Sequence, residues 1–147
     1  SKGDVVTKTE FFAIETDILI LAATENQLTL ELAKNLKCRI IAEGANSPTT
    51  QEAEDYLLEN DKDLFIIPDI LCNAGGVTVS YFEWVQGLQN FFWSESEILE
   101  KLRVIMLKAF TEVFRLSKKN GFTMRTAALA TGIERVGAAM LSRGLFP

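Results

Sequence analysis

The apolar positions of this chain follow two different patterns, and the change between them divides its length. Three short runs, Ile18-Leu19-Ile20-Leu21, Cys38-Arg39-Ile40-Ile41-Ala42 and Leu64-Phe65-Ile66-Ile67, lack the polar alternation of a half-wet strand. The first predicts a strand covered on both faces, and the other two predict further buried strands. Helical signals lie between them. Thr7 and Glu10 have the capping-box spacing that opens a helix over Phe11, Phe12 and Ile14, after a short strand at Asp4-Val5-Val6. Thr29 is placed to cap a helix running to Leu36. Thr49 and Glu52 repeat the capping-box spacing for a third helix, with Ala53, Tyr56 and Leu57 on its apolar side and Asn60 at its close. Strand, helix, strand, helix, strand at this spacing predicts consecutive βαβ units, hence a parallel sheet with right-handed crossovers.

Beyond residue 72 the pattern is helical throughout. Segment 73–84 starts at Asn73-Ala74-Gly75-Gly76 and continues Val77 to Trp84. Aromatics at Trp84, Phe91, Phe92 and Trp93 are expected to pack where helices meet, with cofactor stacking as the functional alternative. Ser94, with Glu97 at capping-box spacing, begins a long helix that Asn120-Gly121 ends in left-handed fashion. Its stripe is Ile98, Leu102, Ile105, Ala109, Val113 and Leu116, and Glu97 and Lys101 are expected to pair on the wet side. A last helix runs from Thr123 to near Gly144, with a stripe of Leu129, Ile133, Val136 and Met140. Its internal Gly132 and Gly137 each cost about 1 kcal/mol in helix propensity, which predicts a small surface kept for close approach to the preceding helix or to a segment outside this chain.

The candidate chemistry sits at the strand ends. After the first strand come Ala22, Ala23 and then Asn26; after the second, Gly44-Ala45-Asn46; after the third, Asn73-Ala74-Gly75-Gly76. Open α/β sheets take ligands in the crevice outside the carboxyl ends of their strands, where these loops are expected to gather. Small residues leave room, and each loop adds a carboxamide, although turn chemistry alone also favours Asn and Gly there. Asn73, Val77 and Ser80 are four and three residues apart, so an amide, an aliphatic wall and a hydroxyl share one helix face. No lysine or aspartate on that face supplies a general base. Glu43 is the one carboxylate beside a crevice loop, and an exposed or salt-bridged place is expected for it as readily as a functional one.

Composition narrows the classes. With 147 residues, 48% of them hydrophobic, the chain has enough apolar side chains for one core, as one domain or part of a larger one. A net charge of −5 argues against tracking a phosphate backbone, which needs clustered Lys and Arg. The chain has no histidine, and Cys38 and Cys72 stand alone, so no zinc set, disulfide framework or histidine-assisted nucleophile is expected; both thiols are expected to be buried. No apolar run approaches the ~20 residues of a membrane span, and Ser1-Lys2-Gly3-Asp4 is not the start of a signal peptide, so a soluble protein of a reducing, cytoplasmic compartment is expected. A Gly-rich turn after the first strand and an acidic ribose reader about 20 residues on are both missing, as is any Walker-type loop.

Segment 73–84 resembles the signature helix of glutamate dehydrogenases. The likeness extends through 17–27, through Ala42-Glu43-Gly44-Ala45-Asn46-Ser47-Pro48-Thr49-Thr50 and through 125–128, covering essentially the whole chain as the carboxyl-terminal part of such an enzyme. The continuation Ser80-Tyr81-Phe82-Glu83-Trp84 favours glutamate over leucine or phenylalanine. The resemblance implies an α/β fold: the carboxyl-terminal half of a Rossmann-like parallel sheet followed by long C-terminal helices, with a partial dinucleotide-binding domain over 1–92 and a helical segment over 93–147. It implies reversible oxidative deamination of L-glutamate to 2-oxoglutarate and ammonia with NAD or NADP, in a hexamer. Ser80 then resembles the group that bonds the substrate side-chain carboxylate, and Val77 the wall beside it. Asn73 and Asn46 resemble the groups that fix the nicotinamide end of the cofactor, and Ala22 and Ala23 the floor under it. The family's catalytic lysine and aspartate belong to an amino-terminal domain outside this chain, so no catalytic residue and no metal ligand is expected within it. Departures are Ser47 where glycine is common, Gln51 where a helix-opening proline is frequent, and Leu129 in place of tyrosine. Two other classes stay open: a non-catalytic ligand-binding or regulatory module, and a structural helical interaction piece.

Overall fold

A computed structural model describes residues 3–144, and the chain divides into two compact units, Ser1–Asp69 and Ile70–Pro147. The first unit is built as consecutive parallel crossovers. Strands β1 (Ile18–Leu21), β2 (Ile40–Glu43) and β3 (Phe65–Ile67) lie in the order β1-β2-β3, all parallel. Helix α1 (Lys8–Phe12) precedes β1, and α2 (Leu30–Ala33) and α3 (Gln51–Asn60) occupy the sequence between the strands. In register, Leu19 faces Ile41 and Ile41 faces Ile66, and all three are buried together with Phe12, Leu32, Ala53 and Leu57. That layer is the core of the unit.

The opposite face of β1 corrects the expectation of a strand covered on both sides. Burial alternates along it, with Ile18 at 53% and Ile20 at 65% exposure while Leu19 and Leu21 are buried. Within this sheet β1 is an edge, and none of the described residues covers its outer isoleucines. Three smaller expectations also shift. Asp4-Val5-Val6 forms no strand, and Val5 is fully exposed. The helix after Thr7 stops at Phe12, short of Ile14, although its capping box forms as expected, with Glu10 N donating to Thr7 Oγ1 at 3.3 Å and Thr7 N to Glu10 Oε2 at 2.7 Å. The helix expected from Thr29 to Leu36 is confined to Leu30–Ala33. The third helix is capped by Thr50, whose hydroxyl accepts from Ala53 N at 3.3 Å. Thr49 instead turns inward, its Oγ1 buried and without a hydrogen-bond partner among the described residues, because its backbone bridges to Leu28. Gln51 is thereby the first helical residue, a position at which proline's missing N–H costs nothing.

The second unit is helical. A single turn, α4 (Asp69–Cys72), leads through Asn73 into α5 (Ala74–Gln89), followed by α6 (Glu95–Asn120) and α7 (Met124–Arg143). Ser94 and Glu97 form the expected capping box, and Gly121 ends α6 at φ 67°. Glu97 spends its carboxylate on the Ser94 N–H and hydroxyl, at 2.8 and 2.7 Å, which holds its pKa below the ordinary carboxylate value. Lys101 lies over the Trp93 ring, 4.8 Å from its centroid, and Phe82 meets the same ring edge-on at 5.8 Å. Trp93 thus packs between helices as expected, whereas Trp84, Phe91 and Phe92 are exposed. Along α6, Val113 is buried and Ile98, Leu102, Ala109 and Leu116 are partly so, while Ile105 is exposed. Helices α6 and α7 lie against each other, tied by an Arg135–Glu112 ion pair. The buried side of α7 is Met124, Ala127 and Ala128, whereas its larger stripe of Leu129, Ile133, Val136 and Met140 is exposed. Among the described residues, a Cβ added at Gly132 or Gly137 would meet nothing within 4 Å. Among the described residues, no helix is long and apolar enough to cross a membrane.

Candidate functional site

The first unit brings two of the predicted loops together at the carboxyl ends of β1 and β2. Ala22 to Glu25 and Gly44 to Asn46 line one open depression, so Ala22, Ala23 and Asn46 meet as expected. The join is direct, with Ala45 N donating to Leu21 O at 2.7 Å. A side chain at Gly44 would put its Cβ 3.2 Å from Ala22 Cβ and 3.5 Å from Leu21 O. Glycine is therefore what lets the two strand-end segments close on each other. Further along, Asn26 N donates to Ser47 O at 2.9 Å, Leu28 N to Pro48 O at 2.9 Å and Thr50 N to Leu28 O at 3.0 Å. The loops after β1 and β2 thus run as a short ladder beyond the sheet.

Small side chains with one carboxamide at the rim leave backbone within reach of a flat, polar ring. That donor set fits the amide-bearing ring of a nicotinamide cofactor, with Asn46 able to donate to and accept from a carboxamide. The turn that carries Asn46 is held by groups the sequence reading missed. Ser47 sits at φ 43°, in the left-handed region, a conformation that glycine adopts without the Cβ penalty a serine carries there. Its N–H donates to Asp69 Oδ2 at 2.8 Å, and Asp69 N in turn donates to Glu43 Oε2 at 2.9 Å. Glu43 is completely buried, which corrects the exposed place expected for it. No local signal in the sequence announces these links, since 22 and 26 residues separate the partners.

In the second unit, Asn73 is the N-cap residue of α5, and Val77 and Ser80 follow on the same helix. Both are exposed, Val77 to 71%. The paired glycines fall in the first turn of α5. Gly75 packs near Leu102, whereas a side chain at Gly76 would meet nothing within 4 Å. The helix therefore presents a bare first turn, an aliphatic side chain and a hydroxyl, and no proton-transfer group.

Comparison with known proteins follows the same residues. The profile of the Glutamate/Leucine/Phenylalanine/Valine dehydrogenase family matches residues 1–144. The chain is 44% identical over 142 residues to a cryptic catabolic NAD-specific glutamate dehydrogenase of Bacillus subtilis, covering 97% of this chain and 33% of that protein. It is 45% identical over 137 residues to an NAD-specific glutamate dehydrogenase of Clostridioides difficile, covering 93% and 32%. Among solved structures, the hetero-hexameric glutamate dehydrogenase of Thermus thermophilus in its Leu-bound form superposes with a TM-score of 0.90 at 36% identity, over 97% of this chain and 34% of that one. The chain thus spans about a third of the length of these relatives.

Proposed function

This chain belongs to the Glutamate/Leucine/Phenylalanine/Valine dehydrogenase family, and from that premise we propose that it is the carboxyl-terminal part of an NAD-dependent glutamate dehydrogenase, interconverting L-glutamate with 2-oxoglutarate and ammonia. The observation that carries the proposal is the rim of the first unit, where Ala22, Ala23 and Asn46 converge on one depression with Gly44 closing it. Asn46 and Asn73 fix the nicotinamide end of the cofactor over a floor of Ala22 and Ala23. The bound cofactor supplies a hydride acceptor, and the protein's task there is to hold the ring and exclude water. Ser80 donates its hydroxyl proton to the substrate side-chain carboxylate, and Val77 walls off the methylenes beside it. The favoured cofactor is NAD rather than NADP, because close relatives are NAD-specific. The proton-transfer groups come from the rest of the protein, and a cytoplasmic homo-oligomer belongs to the same reading, a hexamer in subunit number like the hetero-hexameric Thermus thermophilus relative. So does a division into a partial dinucleotide-binding part over 1–92 and a helical part over 93–147.

The test uses the full-length protein that contains this chain, assayed for glutamate-dependent NAD reduction. Ser80→Ala is expected to raise KM for glutamate about tenfold or more, the loss of a hydrogen bond to a charged group, with KM for NAD unchanged. Residues 1–147 alone are expected to show no reduction. Activity in the short chain would overturn the assignment of proton transfer to the missing part. A full-length protein that binds NAD without turning over glutamate would instead favour a non-catalytic binding module, and loss of assembly alone in the Ser80 variant would favour an interaction piece.

A further inference from the structure

We propose that Asp69 is a positioning residue for Asn46, acting through Ser47, and that Glu43 sets Asp69 for that task. The inference rests on the reading of Asn46 as a nicotinamide-fixing group and adds how that group is held. Ser47 adopts φ 43°, a conformation that costs a residue with a Cβ and that reverts toward negative φ unless its peptide groups are tied. Both are tied. Its carbonyl accepts from Asn26 N at 2.9 Å, which fixes it to the loop after β1. Its N–H donates to Asp69 Oδ2 at 2.8 Å, a charge-assisted bond reaching across from the residue that follows β3 and Pro68. Asp69 is itself located by its backbone N–H, which donates to Glu43 Oε2 at 2.9 Å. Glu43 is the last residue of β2 and is buried completely. The path from Glu43 to Asp69 to Ser47 therefore closes a ring over residues 43–47, and Asn46 lies inside it. Turning the Ser47 peptide swings the carboxamide of its neighbour, so the Asp69 carboxylate controls where Asn46 points.

The test compares full-length variants in steady-state glutamate oxidation. Asp69→Ala is expected to raise KM for NAD about tenfold, with KM for glutamate unchanged and kcat within about twofold of the parent, as for loss of uniform cofactor binding. Asp69→Asn keeps an oxygen acceptor for the Ser47 N–H and should recover most of the affinity. Ser47→Gly, which removes the Cβ penalty at this φ, should partly rescue Asp69→Ala, a coupling that an unspecific brace would not show. Asn46→Ala is the control for the underlying assignment. If it leaves KM for NAD unchanged, or if the parent protein does not oxidise glutamate, both the site reading and this inference fall. If Asn46→Ala raises KM while Asp69→Ala lowers only thermal stability, the inference alone is overturned. Should Asp69→Ala fail to fold, hydrogen exchange on Asp69→Asn decides, because its uncharged acceptor holds the Ser47 N–H less tightly: modestly faster exchange confined to 44–48 supports the inference, and unchanged exchange there or exchange spread through the first unit overturns it.

Discussion

Cys38 lies under the helices of the first unit, and burial, assisted by the negative charge of Asp61, pushes its thiol pKa up to about 11. A thiol whose folded pKa exceeds its unfolded value stabilises the fold below the unfolded pKa and loses that contribution as pH rises through the folded one. The stability attributable to Cys38 is therefore intact below its ordinary pKa of 9.0 and lost as pH climbs through about 11. Thiolate absorbance during alkaline titration is expected to show that late midpoint, and Cys38→Ser should remove this part of the alkaline destabilisation. The same scale shows what is legible locally. The capping boxes at Thr7 and Ser94 involve partners three residues apart, so spacing alone reveals them. Thr49 and Thr50 compete for one cap, and the choice is made by the Leu28–Thr49 bridge, formed between separate loops. The Asp69–Ser47 link is equally remote, and no pattern along the chain points to it.

At the scale of elements, the strands and their parallel order follow from the apolar runs, because only residues covered by other structure can dispense with polar alternation. The outer face of β1 departs from that rule. Ile18 and Ile20 have the composition of covered positions, yet none of the described residues covers them. Each apolar side chain of this size gains roughly 1.5–3 kcal/mol when fully buried, so the edge carries a substantial incentive to acquire a neighbour. Ile20→Lys separates the two situations. In residues 1–147 alone it is expected to leave the melting temperature nearly unchanged and to reduce self-association in sedimentation. In the full-length protein it should lower the yield of folded enzyme. Equal destabilisation in both would show that Ile20 is already covered within this chain.

For the molecule as a whole, two apolar surfaces, the outer face of β1 and the α7 stripe of Leu129, Ile133, Val136 and Met140, are open on separate units. Exposed apolar area on this scale marks surfaces that contact something else. Residues 1–147 expressed alone are expected to bind a hydrophobic dye while retaining the helical signal of α5, α6 and α7; dye binding no greater than that of the full-length protein would contradict the exposure described for these side chains. The candidate rim was legible because it uses residues immediately after β1 and β2, where topology fixes position. The openness of these two surfaces was not, since it depends on which residues fold over them and none of the described residues does.

The bare margin of β1 also has a practical use. A parallel neighbour can be supplied on a separate polypeptide, because the crossover that would join it need not be continuous for the backbone ladder to form. Under the function proposed above, this chain co-expressed with the remainder of the protein is expected to serve as one component of a two-piece reporter. NAD reduction would then register reunion of the halves, and Ile20→Lys would silence it.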